Sequence, residues 1–215
     1  MTWSEIAVVV VAAVALLGWL LWVAASRLDR LHRKVMASRL ALDAQLVRRA
    51  SAAVDLAASG ELDPATSVLV AEAAHAVLDD DADSRRLVGS VPGLGETVEP
   101  RPRRLLGGMA PSRALAESDL SATLRSAFED PDDVLELRAS GADELLGNLA
   151  AAWYRAQLAR RFHNGAVAQA LRVRAKWWVR LFRVAGHAPM PATVELDDAW
   201  PVGLGRPVEL AAGAA

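Results

Sequence analysis

LLGNLAAAWYRAQLARRFHNGAVAQALRVRAKW, from Leu145 to Trp177, is the stretch whose reading decides the architecture of this chain. Leu145, Leu149, Ala152, Ala156, Ala159, His163, Ala166, Ala170, Val173 and Trp177 follow one another in unbroken steps of four and three. An α-helix gathers such positions into one stripe, whereas a strand would need alternation by two. The many alanines on that stripe let a second helix approach closely. The same steps recur at Leu28, Leu31, Val35, Ser38, Leu42, Gln45, Arg49, Ala52 and Leu56. Two long helices are therefore expected to face each other, each about 50 Å long at 1.5 Å per residue.

No strand alternation is sustained between Arg27 and Gly186. The first soluble helix is expected from Ser26 to Ser59, ending at Gly60. Asp63-Pro64 reads as an N-cap with proline in the first turn, opening a short helix to about Leu78. Residues 79–111 carry a DDDAD run with clustered glycine and proline, and predict an irregular or disordered connection. A third helix is expected from Ser112 to Phe128, stopped by EDPDD. The last begins near Val134 or, after Gly141, near Asp143, and runs to about Val184. Gly186, Pro189, Pro191 and Pro201 forbid further helix, which leaves 187–215 as an extended or disordered tail.

Ahead of the first soluble helix stands IAVVVVAAVALLGWLLWVAA, Ile6 to Ala25, without a charge. About 20 such residues match a hydrocarbon core of roughly 30 Å. A cleaved signal peptide is the competing reading. The preceding MTWSE has no positive charge, and the run exceeds the usual signal core of about 7–15 residues. Residues 1–26 are thus expected to form a short tail and a transmembrane anchor. Arg27, Arg30, Arg33 and Lys34 follow it at once, and the positive-inside rule keeps that side cytoplasmic, with the N-terminus outside. Trp3 on one flank and Trp19 and Trp22 on the other suit the interfacial belts. The fold class expected is all-α: a single N-terminal transmembrane helix followed by an elongated antiparallel helical bundle over 27–186. Its first and last helices are long and its two middle helices short.

The net charge of −2 hides a strong segregation. Residues 79–144 carry −7, whereas residues 145–194 carry +8 without one acidic side chain. An up-down topology returns the end of the last helix to the membrane side. There Arg172, Arg174, Lys176, Arg180 and Arg183, with Trp177 and Trp178, join the basic residues after the anchor as a membrane interface. Such a cluster suits anionic headgroups; a solvated basic face whose tryptophans close the bundle is the alternative. Nucleic acid is not expected as a partner, because no binding motif accompanies the charge.

Chemistry finds little support. With no cysteine, disulfides, thiolate metal sites and a cysteine nucleophile are excluded. His32, His75, His163 and His187 lack partners at metal-binding spacing. The acidic run from Asp79 has Ser84 and Ser90 where a calcium loop needs glycine and glutamate. GSVPGLGE, Gly89 to Glu96, lies between no strand and helix, so a phosphate cradle is unsupported. No catalytic, cofactor-binding or metal-ligating residue is assigned, no cofactor or small-molecule substrate is implied, and a non-enzymatic protein is expected. Polar residues on the facing stripes must find partners. They predict a buried layer of Asp43, Gln45, Arg49, Arg160, His163 and Asn164. An enzyme using the Asp43/His163 pair, with His163 as acid or base, is the weaker alternative.

Two of these segments carry a family resemblance. Leu42-Asp43-Ala44-Gln45-Leu46-Val47-Arg48-Arg49, soon after the anchor, resembles the (I/L)DxQLxRR segment of the LemA family of bacterial membrane-anchored helical-bundle proteins. Ala159-Arg160-Arg161-Phe162-His163-Asn164-Gly165-Ala166-Val167 is similar to the family's second segment, AR-x-x-YN-x-x-V, with histidine where tyrosine is usual. RLFRVAGHAPMPATVELDD, from Arg180, is similar to its closing turn and extended segment. The likeness covers the anchor and the first and last helices. It implies a single-pass protein of the bacterial cytoplasmic (inner) membrane with a cytoplasmic bundle and no established enzymatic activity. The chain is then expected to act as a structural or interaction module with a protein partner or a second copy of itself. A lipid-surface sensor using Arg172 to Arg183 is the alternative.

Overall fold

A computed structural model of the chain describes residues 3–89, 106–186 and 188–205. Helix α1, Trp3–Ala58, is one unbroken rod of 56 residues, so the apolar run and the first stripe share an axis. From Trp3 to Leu20 every side chain is exposed, and the run is long and apolar enough to cross a membrane. From Leu28 onward the rod acquires a buried face. Leu28, Val35, Leu42, Arg49 and Leu56 recur every seven residues, and each is at most 2% exposed.

The chain turns through Gly60 (φ 80°). Asp63 Oδ1 then accepts bonds from the amides of Ala65 and Thr66, capping α2, Pro64–Gly89. The Thr66 side chain first, and then the Thr66 and Ala65 amides, hold the Asp63 carboxyl below the ordinary carboxylate range. Helix α2 continues well past Leu78, so the irregular connection expected from residue 79 does not begin there. Once a helix is nucleated, aspartate costs only a fraction of a kcal/mol per position, and no glycine or proline intervenes before Gly89. The remainder of that connection, 90–105, lies outside the described residues, and with it most of the Gly89–Glu96 stretch. His187 and the tail beyond Gly205 lie outside as well.

Helix α3 is Pro111–Ala127. After it, Asp130 caps the short α4, Pro131–Leu137, by accepting from the amide of Asp132. A wide π turn, Arg138–Ala142, links α4 to α5, Asp143–Arg174. Both starting points anticipated for the last helix are therefore real helix starts, separated by a kink. Gly141 makes the kink, with φ 129° in a region that side chains avoid. Helix α5 ends at Arg174 instead of reaching Val184. Lys176 adopts extended backbone (ψ 132°) before the one-turn helix α6, Trp177–Leu181. That bend rotates Val179 into the interior, 2% exposed, and swings Trp177 out to 73%. Trp177 is thus not on the buried stripe, although its spacing put it there.

Helices α1 and α5 pack antiparallel: Arg174 lies beside His32, His163 beside Ser38, and Trp153 beside Arg49. Farthest from the apolar run, the largest core cluster draws on four helices, including Ala53 and Leu56 of α1, Val70 and Ala74 of α2, Leu120 and Leu124 of α3, and Leu146 and Trp153 of α5. Toward the run the pair is covered by Leu106 and by the extended segment from residue 188. Leu106 closes over Val35, Ala166 and Ala170, and Val194 over Leu42, Leu46 and Ala156.

The segment 188–205 is extended, as its prolines require, and it is built into the core. It runs back along α5, with Pro191, Val194, Pro201 and Leu204 buried. Near its end, Gly203 donates its amide to the Phe128 carbonyl at 3.1 Å. A Cβ at this position would stand 2.8 Å from the Phe128 oxygen and 3.0 Å from that of Asp130. Backbone cannot yield as a flexible side chain can. Gly203→Ala is therefore expected to destabilise the protein by about 1–3 kcal/mol. Thermal unfolding of the detergent-solubilised chain, followed by tryptophan fluorescence, reads that loss.

Candidate functional site

The six polar residues expected in one layer lie along the α1–α5 pair in three separate arrangements. At the far end Arg49, with no exposed surface, donates from Nη2 to Glu117 Oε2 (2.8 Å) and to the Glu117 carbonyl (3.0 Å). Its Nη1 reaches Ser121 Oγ at 2.8 Å, and its guanidinium lies 5.2 Å over the Trp153 ring. Arg113 Nε binds the other Glu117 oxygen at 2.9 Å. The Glu117 carboxylate thus bridges two arginines, and the set ties α1 to α3 at one level. Glu117, Arg113 and Ser121 were missed by sequence reasoning. Their only signal was a buried cation at Arg49 that had to have a partner somewhere.

Midway, His163 is fully buried and its Nδ1 lies 3.1 Å from Ser38 Oγ. Ser38 donates its own proton to the Val35 carbonyl at 2.8 Å, so the hydroxyl receives the imidazole Nδ1–H. Asp43 bonds Arg39 Nε at 3.1 Å, one turn away on α1. Burial, and then the Arg39 charge, hold the His163 pKa down against the carbonyls of Ala192 and Val35. Gln45 is half-buried on the same helix, its Oε1 without a hydrogen-bond partner.

Arg160 and Asn164 hold the extended tail. Arg160 grips the Asp198 carboxylate through two bonds of 2.8 and 2.7 Å. Asn164 pairs with both backbone groups of Val194, at 2.9 and 3.1 Å, as a neighbouring strand would. Trp153 Nε1 and Gln157 Nε2 both donate to the Asp198 carbonyl, at 3.3 and 2.6 Å. Trp153, Gln157, Arg160 and Asn164 keep steps of four and three, so α5 carries a second stripe devoted to this tail. Sequence reasoning did not find that stripe because most of its members are polar.

At the end next to the apolar run the expected interface divides. Arg174 turns inward, giving its two Nη groups to the carbonyls of Pro189 and Ala188 at 2.8 and 2.9 Å. Its Nη1 also lies 3.3 Å from His32 Nε2. Burial first, then Arg174, keep the His32 pKa low, with Asp29 opposing. Arg33 pairs with Asp29. Arg27, Arg30, Lys34, Arg172, Lys176, Arg180 and Arg183 are exposed, as are Trp3, Trp19, Trp22 and Trp177. Trp178 is half-buried, with Lys176 Nζ 5.9 Å from its ring. Between α1 and α5 a cavity of about 290 Å³ opens, lined by Arg27, Leu31, Gln169, Arg172, Val173 and Lys176.

Among the described residues, no group of three or more histidine, aspartate or glutamate side chains is placed to hold a metal ion. Comparison of the chain with family models, curated proteins and solved structures finds no match.

Two expectations follow from these networks. Truncating one partner of a buried ion pair strands the other, at about 3–5 kcal/mol. Glu117→Ala is therefore expected to cost about that much, and replacement of the whole set, Arg49→Met, Arg113→Met and Glu117→Leu together, much less; urea denaturation of the solubilised chain compares them. The second concerns pH. His32 and His163 both have folded pKa values below the ordinary 6.5. Above that value both are neutral in the folded and unfolded states alike, and their contribution to stability is intact. Below it the unfolded chain takes up protons first, so stability falls as pH drops toward the folded values. Tm should hold steady from about pH 8 to 7 and decline by about pH 5.5. The decline should be shallower in a His32→Asn, His163→Asn variant.

Proposed function

We propose that this chain is a single-pass, membrane-anchored helical module of the LemA type. In this reading it spans a bacterial inner membrane once, with its N-terminus outside, and presents an elongated antiparallel bundle to cytoplasmic partners or to a second copy. One observation carries the proposal. The single rod α1 changes from an uncovered apolar surface over Ile6–Leu20 to a buried heptad face from Leu28. A helix from the core of a soluble domain would be covered along its apolar part; this one is covered only beyond it.

The LemA reading is supported by contact between its two quoted segments: Leu42 and Leu46 share a cluster with Ala156 and the partly buried Ala159. The non-enzymatic reading draws support from how the polar residues are used. Arg49 is spent in an ion pair, Arg160 and Asn164 on the tail, and His163 on Ser38. A second reading, a lipid-surface sensor, is favoured by the exposure of Trp177 at 73% and Leu181 at 65% beside Arg172 and Lys176.

Fusions at each end test the topology. Alkaline phosphatase on the N-terminus should be active, and a fluorescent protein on the C-terminus bright, with the chain kept in membranes at alkaline pH. Release of the chain into the soluble fraction, or the opposite reporter pattern, would overturn the proposal. His163→Ala, which leaves a module's partner binding intact, should abolish turnover only if the enzyme alternative is correct.

A further inference from the structure

A cavity opens between the start of the covered part of α1 and the end of α5. Arg27 and Leu31 line it from α1; Gln169, Arg172, Val173 and Lys176 line it from α5 and its end. Three cations converge there, none of them with an acidic partner among the described residues. The nearest acid along α1, Asp29, pairs with Arg33. Arg174, the remaining cation of that stretch, is bonded to the Ala188 and Pro189 carbonyls. Like charges gathered on one cavity repel, and an anion bound among them relieves that repulsion.

Depth narrows the class of anion. Arg27 follows the last residue of the apolar run, Ala25, by two positions, roughly 3 Å along the helix axis. In an anchored chain that is the level of lipid phosphates. Leu31 and Val173 give the cavity an apolar floor and Gln169 adds an amide donor. Leu181 and Phe182, a few residues beyond Lys176 in the chain, are 65% and 44% exposed, as suits side chains dipping among headgroups. We propose that this cavity binds a phosphate-bearing anion, the headgroup of an anionic phospholipid, gripped by Arg27, Arg172 and Lys176. The inference rests on the membrane-anchored reading above and adds a defined lipid site to it.

The test uses the full chain reconstituted in phosphatidylcholine vesicles with trace spin-labelled phosphatidylglycerol or phosphatidylcholine. Electron spin resonance gives the share of each label held immobile at the protein. The native chain should prefer the phosphatidylglycerol label. Arg27→Gln, Arg172→Gln and Lys176→Gln together should cut that preference about fivefold or more, since one Lys or Arg at a lipid surface contributes about that factor. A matched triple outside the cavity, Arg30→Gln, Lys34→Gln and Arg180→Gln, should change it far less. Inorganic phosphate, compared with chloride at equal ionic strength, separates the sources. Selective displacement by phosphate keeps the site but assigns its ligand to solution. Equal losses in the two triples, or none in the cavity triple, would overturn the proposal while the anchor stands. Release of the native chain from the vesicles at alkaline pH would refute both.

Discussion

Everything in this protein is hung on one continuous helix. Because α1 runs without a break from Trp3 to Ala58, the face it buries is fixed relative to its apolar run. The rest of the chain is arranged around that face. Helix α5 supplies the antiparallel partner, its alanines allowing close approach at Ala156, Ala166 and Ala170. The middle helices are too short to cover the pair along its length. The remainder is closed by Leu106 and by the extended segment that carries Val194. Burial thus continues to the end beside the apolar run without a third long helix.

The polar contacts within this frame set register more than they add stability. A buried ion pair such as Arg49–Glu117 regains little more than its desolvation costs, but any slip along the axis leaves charges unpaired. The contact with Ser121, the Trp153 ring above and the second arginine below admit one alignment of α1, α3 and α5. Asn164 plays the same part for the extended segment, since its amide matches one backbone unit, that of Val194.

Much of this frame is legible in the sequence, and the reasons are local. The seven-residue recurrence of Leu28, Val35, Leu42, Arg49 and Leu56 is itself the buried face, and Asp63-Pro64 is a cap by its own chemistry, whereas Asp130-Pro131, expected only as a helix stop, also caps the next helix. What escaped depends on distant chain. Nothing near Arg49 names Glu117 as its partner; Gln157 looks like solvated surface, and Arg160 and Asn164 look like partners for α1, until the segment from Ala188 to Leu204 is laid on them. The end of α5 at Arg174 has no proline or glycine to mark it. Its bend follows from burying Val179, a tertiary demand. For the same reason the spacing rule misplaced Trp177, whereas it placed Val35 and Ala166 well.

The unbroken axis of α1 also makes the molecule a lever. For a chain anchored as proposed, the helix beyond the bilayer extends about 48 Å from Arg27 to Ala58 at 1.5 Å per residue. Membrane helices tilt with bilayer thickness and neighbours. A change of about 10° at the anchor would sweep the far end of the rod through roughly 8 Å. Small adjustments in the lipid would then appear, magnified and without any hinge, at the surface made by α2 and α3.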